Sequence, residues 1–239
     1  MNYQTKYYKY KEKYNNLKNI LNKVGGEMKP YIWFPDIFLQ KLDMNKLVKN
    51  ILKICKKNKI NPIKSSILDM GSGHGDISLG LTFYFNKVIG IDPSDLMLKR
   101  AEINKNRLKI LKPDDFDEDK LTFMKNNFYN KLDIDPVNVI ILSNSISYAD
   151  FNTVNNVLDN LLNYLVKDGL IIIKDPWINS VFGNSKLNED TEFKKEKIER
   201  IKKIRVEIDT FIKNSDKVKL IESKEFKNKS SYLIIIKKI

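Results

Sequence analysis

Three glycines spaced two residues apart follow a short apolar segment in the first half of the chain. The stretch Ile67-Leu68-Asp69-Met70-Gly71-Ser72-Gly73-His74-Gly75 predicts a buried strand that runs into a turn where bare backbone can approach a ligand. A second apolar run, residues 88–91, ends at Asp92, which lies 21 residues after Gly71. A carboxylate at that position can accept hydrogen bonds from both hydroxyls of a ribose. The pair predicts a nucleotide-binding unit.

Two residues near the glycines bear on which nucleotide this is. A dinucleotide fingerprint has glycine at position 76, where this chain has Asp76, and a carboxylate at a helix N-terminus would repel a pyrophosphate. Asp69, two residues before the first glycine, suits a ligand that carries a positive amino group and a sulfonium. A doubly wound domain that binds no nucleotide remains the alternative, since strand-to-helix turns often contain glycine for steric reasons.

The glycine segment resembles motif I of the class I S-adenosylmethionine-dependent methyltransferases. The stretch Ile89-Gly90-Ile91-Asp92-Pro93-Ser94 resembles the next motif of that family, which contains its ribose-binding acid. The resemblance spans about residues 64–239 and implies S-adenosylmethionine as the cofactor. It also implies a Rossmann-like α/β fold: a seven-stranded, mostly parallel sheet with an antiparallel C-terminal hairpin and helices on both faces.

The same resemblance implies roles for individual residues in donor binding. Asp69 would hold the amino group of the donor, and the backbone of Gly71 and Gly73 would pass along its methionine part. Asp92 would accept hydrogen bonds from the ribose hydroxyls.

Further donor contacts follow from the resemblance. Pro93 and Leu96 would lie against the adenine, and Ser143, at the end of the fourth strand, would border the sulfonium. Asn126 or Asn127 occupies the position where the family often has an acid facing the adenine amino group. An asparagine oxygen can also accept a hydrogen bond from an amino group.

The acceptor side is predicted from position alone. Ligands of open α/β sheets bind beyond the carboxyl ends of the strands, which makes Tyr148, Asp150, Asp175 and Trp177 the candidates for catalysis. For each of them, an ordinary loop residue is the alternative. A catalytic role for His74 is disfavoured because it lies between two motif glycines. With one histidine, one cysteine and no zinc-like spacing, we predict no metal site.

The hydrophobic pattern from residue 64 onward alternates strand and helix, as parallel βαβ units do. We predict strands near residues 66–70, 87–91, 121–125, 138–143, 169–174, 218–226 and 231–239, and helices near residues 75–86, 94–106, 152–166 and 192–213. An Asp168-Gly169 turn is predicted to precede the fifth strand.

Three segments divide the chain. Residues 1–26 predict a Lys/Tyr-rich helical leader, residues 27–63 a helical cap segment, and residues 64–239 the methyltransferase domain. The leader resembles those of proteins from mimivirus-like giant viruses. Its tyrosine stripe suits docking to its own domain or to a protein partner, and a disordered terminal arm is the alternative. The cap segment contains Trp33 and other aromatic residues, and it either covers the donor or plugs the edge of the sheet.

The net charge of +13 invites a nucleic-acid partner, but only four of the 43 basic residues are arginine, the side chain preferred for bidentate phosphate recognition. Residues 61–180 carry a slight negative charge, and both ends are basic. We therefore expect a small-molecule acceptor. An RNA methyltransferase, cap-directed or not, and a catalytically silent subunit that binds a partner are the alternatives.

The chain has no signal-peptide pattern and no apolar run long enough to cross a membrane, which predicts a soluble protein of the cytoplasm, or of the host cytoplasm or virion if viral. The single cysteine, Cys55, lies on the apolar face of a predicted helix and is expected to be a packed core thiol.

Overall fold

A computed structural model of the chain describes residues 46–176, 191–226 and 231–239. The predictions for the leader helix, for most of the cap segment including Trp33, and for Trp177 lie outside the described residues.

Seven strands form a single mixed sheet, as predicted. Their order is β3-β2-β1-β4-β5-β7-β6, and only the pairings of β7 with β5 and with β6 are antiparallel. The strands are β1 (Ser66–Met70), β2 (Lys87–Asp92), β3 (Leu121–Lys125), β4 (Val137–Ser143), β5 (Leu165–Pro176), β6 (Val218–Glu225) and β7 (Ser231–Lys238).

Helices cover both faces of this sheet. They are α1 (Lys46–Lys57), α2 (Asp76–Thr82), α3 (Asp95–Leu111), α4 (Val154–Asn163) and α5 (Thr191–Asn214). Short 3-10 helices span Pro62–Lys64, Glu118–Lys120, Ile146–Tyr148 and Phe151–Thr153. Among the described residues, no helix is long and apolar enough to span a membrane.

The central strands are apolar on both faces because each face packs against helices. In β5, Ile171 and Ile173 join the core under α4 and α5, whereas Leu170 and Ile172 join the core under α1, α2 and α3. Cys55 of α1 lies in the second core, where burial raises its pKa to about 12. The prediction of a packed core thiol is confirmed.

The predicted helix boundaries differ from the structure by several residues. Helix α2 ends at Thr82 rather than near 86, because Phe85 is buried and the backbone N–H of Asn86 donates to Ser65 O, which turns the chain toward β2. Helix α3 continues to Leu111 rather than 106, since its last turns bury Leu108 and Leu111. Helix α4 is shorter than predicted and follows a 3-10 helix.

Strand β5 begins at Leu165, four residues before the predicted start. The Asp168-Gly169 pair is an irregularity inside this strand rather than a turn before it. The register with β4 moves from Val137 opposite Leu165 to Val139 opposite Leu170, and Asp168 has a positive φ of 64°. The extra residues on β5 are accommodated by this local bulge.

The order of the strands reverses between β1 and β4, which pair with each other in parallel. The segments that follow these strands leave toward opposite faces of the sheet, since β1 leads into α2 and β4 leads toward α4. A crevice at such a reversal, beyond the carboxyl ends of the strands, is where open α/β sheets bind ligands.

Candidate functional site

The glycine loop connects β1 to α2 and is fastened to β2. The N–H groups of Gly71 and Ser72 both donate to Ile91 O, at 2.8 and 2.9 Å. Gly71 has a φ of 78°, and a Cβ placed on it would lie 2.5 Å from the Cβ of Ser145, in the segment after β4. Only glycine permits this approach, so Gly71 sets the packing between the two segments that border the crevice.

Gly73 is constrained in a different way. Its φ is 54°, and a Cβ placed on it would meet no described atom within 4 Å. The backbone at this point is therefore open to a ligand, whereas the backbone at Gly71 is closed by Ser145. The two motif glycines serve separate purposes.

The carboxylate of Asp92 ties the end of β2 to the glycine loop. Its Oδ2 accepts a hydrogen bond from the Gly73 N–H and its Oδ1 accepts one from the Ser94 N–H, each at 2.9 Å. The side chain is 8% exposed. Each carboxylate oxygen can still accept a further hydrogen bond. Pro93 and Leu96 follow at the start of α3. Both are exposed and form an apolar surface beside this carboxylate.

Asp69, at the end of β1, is 1% exposed. Its Oδ2 accepts a hydrogen bond from the Ser78 hydroxyl of α2 at 2.6 Å. Burial, together with the neighbouring charge of Asp92, raises the pKa of Asp69 to about 6 against the opposing hydrogen bonds from Ser78. A buried carboxylate of this kind is stabilised in its charged form by a cation.

Several oxygens at this edge of the sheet are buried and have no hydrogen-bond partner among the described residues. They lie at or just after the carboxyl ends of β1, β4 and β5: Asp69 Oδ1, Ser72 Oγ, Ser143 Oγ, Ser145 Oγ and Asp175 Oδ1. Leaving one such oxygen unsatisfied costs about 1–3 kcal/mol. Their common location fits a polar ligand that donates hydrogen bonds, such as one with an amino group and ribose hydroxyls.

Asn126 and Asn127 follow β3, as predicted, but their side-chain oxygens are used within their own loop. Asn126 Oδ1 accepts a hydrogen bond from the Asn127 N–H at 2.8 Å. Asn127 Oδ1 accepts from the N–H groups of Tyr129 and Asn130, at 2.8 and 3.0 Å. These contacts compete with the expected acceptance of a hydrogen bond from an adenine amino group.

The segment after β4 is fastened to β5. The backbone N–H of Asn144 donates to Lys174 O, and the N–H of Ser147 donates to Asp175 Oδ2, both at 2.8 Å. Asp175 is 1% exposed, and burial raises its pKa to about 7 against the opposing hydrogen bonds from Ser147. This carboxyl therefore changes charge near neutral pH.

The other two catalytic candidates lie on the same segment in different environments. The Tyr148 side chain is 80% exposed. Asp150 caps the next 3-10 helix, because its Oδ1 accepts a hydrogen bond from the Asn152 N–H at 3.1 Å. Its own N–H donates to the Tyr129 hydroxyl at 2.9 Å. These bonds give Asp150 a role in the structure of the loop, and its catalytic role stays a prediction.

His74 is half exposed in the glycine loop, with its Nδ1 3.2 Å from Asp76 Oδ1.

A separate shallow cavity of about 290 Å³ lies along β2 and β3, bounded by Lys87 and Met124 and by the loop residues Asp133 and Asp135. Unlike the crevice, this cavity contains none of the residues predicted to bind the donor, so the chemistry of the chain argues for the crevice as the functional site.

Sequence reasoning missed three residues that shape the site. Ser78 binds Asp69, Ser145 packs on Gly71, and Arg200 of α5 reaches the segment after β4. All three make contacts with a different element of the fold. The local spacing of residues in the sequence does not reveal such contacts. The one available signal was that Arg200 is among only four arginines in a lysine-rich chain.

Solved structures share this fold at low sequence identity. A magnesium protoporphyrin IX methyltransferase from Synechocystis PCC 6803 with bound SAM matches with a TM-score of 0.55 and 11% identity, covering 95% of this chain and 90% of that chain. A plantazolicin methyltransferase in complex with a triazolic desmethyl analogue and SAH matches with a TM-score of 0.59 and 14% identity, covering 84% and 89%. An S-adenosylmethionine-dependent methyltransferase from Clostridium acetobutylicum ATCC 824 matches with a TM-score of 0.56 and 16% identity, covering 94% and 98%.

A search of curated protein sequences finds no match. A family model described as a methyltransferase domain matches residues 63–233, well over half of the chain. This chain therefore belongs to the methyltransferase domain family.

Proposed function

We propose that the crevice between the glycine loop and the segment after β4 binds the methyl donor, with its methionine part beside Asp69 and its ribose beside Asp92. The amino group of the donor would ion-pair with Asp69. The open backbone at Gly73 would lie along the donor, and Pro93 and Leu96 would support the adenine.

The hydrogen bond from the Gly73 N–H to Asp92 Oδ2, at 2.9 Å, is the observation that carries this proposal. It joins Gly73, whose backbone is open to a ligand, with the carboxylate at the end of the next strand. This hydrogen bond holds the glycine loop against the end of β2. The family resemblance alone does not specify this contact.

Transfer of a methyl group from a sulfonium is an in-line displacement in which the donor is already activated. The protein therefore has to align the acceptor, the methyl carbon and the sulfur, and to exclude water. The unpartnered hydroxyls of Ser143 and Ser145 lie at and just after the end of β4, where we place the reacting end of the donor. Asp175, whose pKa lies near 7, can take up the proton that the methylated molecule releases.

We propose further that the acceptor is a small, partly apolar molecule. The slight negative charge of residues 61–180 and the scarcity of arginine argue against a phosphate-rich acceptor. The exposed rings of Tyr129 and Tyr148 offer apolar surface beside the segment after β4. Two of the structural neighbours bear the names of small-molecule compounds, magnesium protoporphyrin IX and plantazolicin.

An RNA acceptor is the second candidate, favoured by one observation. Residues 46–64 contain seven lysines and no acidic residue, and Lys46, Lys49, Lys53 and Lys56 are exposed on α1, opposite its buried face. A lysine stripe of this kind suits a phosphate backbone.

Methyl incorporation from labelled S-adenosylmethionine into capped RNA, uncapped RNA and a small-metabolite pool separates the two candidates. We expect label in the small-metabolite pool, and we expect it to be lost in an Asp92→Asn variant. Site-specific labelling of RNA at physiological salt would overturn the small-molecule proposal. The absence of label from every pool, despite donor binding, would favour the silent subunit.

A further inference from the structure

Residues 145–149, which follow β4 and are called here the β4 segment, are held by hydrogen bonds from two sides. From the sheet, Asp175 Oδ2 accepts the N–H of Ser147 at 2.8 Å. From helix α5, the Arg200 guanidinium donates to three successive carbonyls: Nε to Ser147 O at 3.0 Å, and Nη2 to Tyr148 O at 3.1 Å and Ala149 O at 3.0 Å. One side chain thus serves three backbone acceptors.

We infer that Arg200 is a positioning residue, one that fixes the β4 segment and through it the acceptor side of the site. This inference rests on the proposed function, because the β4 segment borders the crevice in which we place the donor. Arg200 itself lies on α5 and is not placed among the groups that contact donor or acceptor.

The β4 segment is anchored to the core by Ile146 and Ala149, which are fully buried, and its outer part lies around Tyr148. Tyr148 is 80% exposed, and its 3-10 helix is a single turn, closed by the N–H of Tyr148 donating to Ser145 O and that of Ala149 donating to Ile146 O. The hydrogen-bond geometry of such short turns is poor, so their backbone gains from support by donors outside the turn. The guanidinium supplies that support, because its planar fork carries several donors in fixed directions that a lysine ammonium lacks.

The two ends of the β4 segment are held by different groups. Ser145 is fixed by its contact with Gly71 and by the N–H of Asn144 donating to Lys174 O, neither of which involves Arg200. The carbonyls bound by Arg200 belong to residues 147–149, toward the exposed ring of Tyr148. Loss of Arg200 is therefore expected to affect the acceptor end of the segment and to spare the donor end.

Three variants test this inference: Arg200→Ala, the conservative Arg200→Lys, and Lys202→Ala as a matched control. Lys202 is exposed two residues along α5, and its ammonium pairs with Glu199 rather than with the β4 segment. Amide exchange of residues 147–149, affinity for S-adenosylhomocysteine, and the turnover of labelled donor into the small-metabolite pool are measured on the full chain.

Arg200→Ala should raise amide exchange at Tyr148 and Ala149 about tenfold and lower turnover at saturating donor about tenfold, with the Kd for S-adenosylhomocysteine within about twofold of wild type. Arg200→Lys should show a smaller rise in amide exchange and a smaller fall in turnover than Arg200→Ala. Lys202→Ala should change neither the amide exchange nor the turnover. Unchanged exchange, or a Kd that rises as much as turnover falls, would overturn the inference. The proposed function fails separately, if the wild-type chain does not bind S-adenosylhomocysteine.

Discussion

The Asp92 carboxylate holds the N–H of Gly73 at 2.9 Å while its other oxygen holds the N–H of Ser94 at the same distance. One side chain thus fixes both the glycine loop and the start of α3, and it does so at the point where we place the ribose. A defect at Asp92 should therefore act on ligand binding twice, through lost ribose contacts and through a displaced loop.

Asp92→Asn should weaken binding of S-adenosylhomocysteine nearly as much as Asp92→Ala, by about 2–3 kcal/mol. Both carboxylate oxygens accept a backbone N–H, so an amide group would turn its NH2 toward one of these donors. Calorimetry measures the affinity. Asp95→Asn is the control, because Asp95 lies three residues along the chain, is exposed, and pairs with Lys125. An Asp92→Asn variant with wild-type affinity would contradict this role.

Donor binding should depend on pH through Asp69. Burial raises the pKa of this carboxyl to about 6 in the free protein, and a bound ammonium favours the ionised form. An α-amino group remains protonated below pH 7. The affinity for S-adenosylhomocysteine should therefore fall as the pH drops from 7 toward 5, approaching about tenfold per pH unit well below the pKa.

Asp69→Asn should remove most of this pH dependence and weaken binding at pH 7. Calorimetric titrations at pH 5, 6 and 7 for the two proteins provide the comparison. A pH profile that stays equally steep in the variant would show that another group is responsible.

The two motif glycines should respond differently to substitution by alanine. Gly71→Ala places a Cβ at 2.5 Å from that of Ser145 and at a φ of 78°, so it should cost roughly 2–4 kcal/mol of unfolding free energy. Gly73→Ala meets no described neighbour and should cost only the backbone strain of about 1–2 kcal/mol, while obstructing the donor.

Urea denaturation of Gly71→Ala, Gly73→Ala and the double variant Gly71→Ala/Ser145→Gly tests this contrast. The Ser145→Gly change removes the atom that the new Cβ meets, so it should restore part of the stability lost in Gly71→Ala. No recovery in the double variant would refute the close approach of Gly71 to Ser145.

The stability of the protein should carry a contribution from Asp175 that depends on pH. Its pKa is raised to about 7 in the folded state, so the folded protein binds a proton more tightly than the unfolded chain does. The free energy of unfolding contributed by this group should therefore decrease as the pH rises from about 4 to 7, by at most about 1.4 kcal/mol per pH unit.

Asp175→Asn should remove that contribution, because its amide oxygen still accepts the Ser147 N–H and does not titrate. The difference in unfolding free energy between the variant and the wild type, measured by urea denaturation at pH 5, 6, 7 and 8, should change in favour of the variant up to about pH 7 and level off above it. A constant difference over this range would contradict the raised pKa.

The parts of the molecule that the sequence predicted correctly are those governed by local residue types. The alternation of apolar runs and turns predicted the seven strands. The glycines and Asp92 predicted the turn after β1 and the carboxylate at the end of β2. Such positions are legible because a positive φ or a carboxylate after a strand requires particular residues.

The features that escaped prediction depend on contacts between distant segments. The early start of β5 follows from a bulge against β4, and the support of the β4 segment comes from Arg200, more than 50 residues along the chain. Asn126 and Asn127 stood at the expected position after β3, but the hydrogen bonds of their own loop engage their oxygens. None of these three effects produces a recognisable pattern in the sequence.

The central claim, that the crevice beside Asp69, Gly73 and Asp92 binds the methyl donor, is tested most directly by calorimetry of the full chain with S-adenosylhomocysteine and with NAD. We predict saturable binding of S-adenosylhomocysteine that is abolished or greatly weakened in Asp92→Asn, and no binding of NAD, because Asp76 stands where a pyrophosphate would lie. Tight NAD binding with no response to S-adenosylhomocysteine would contradict the account.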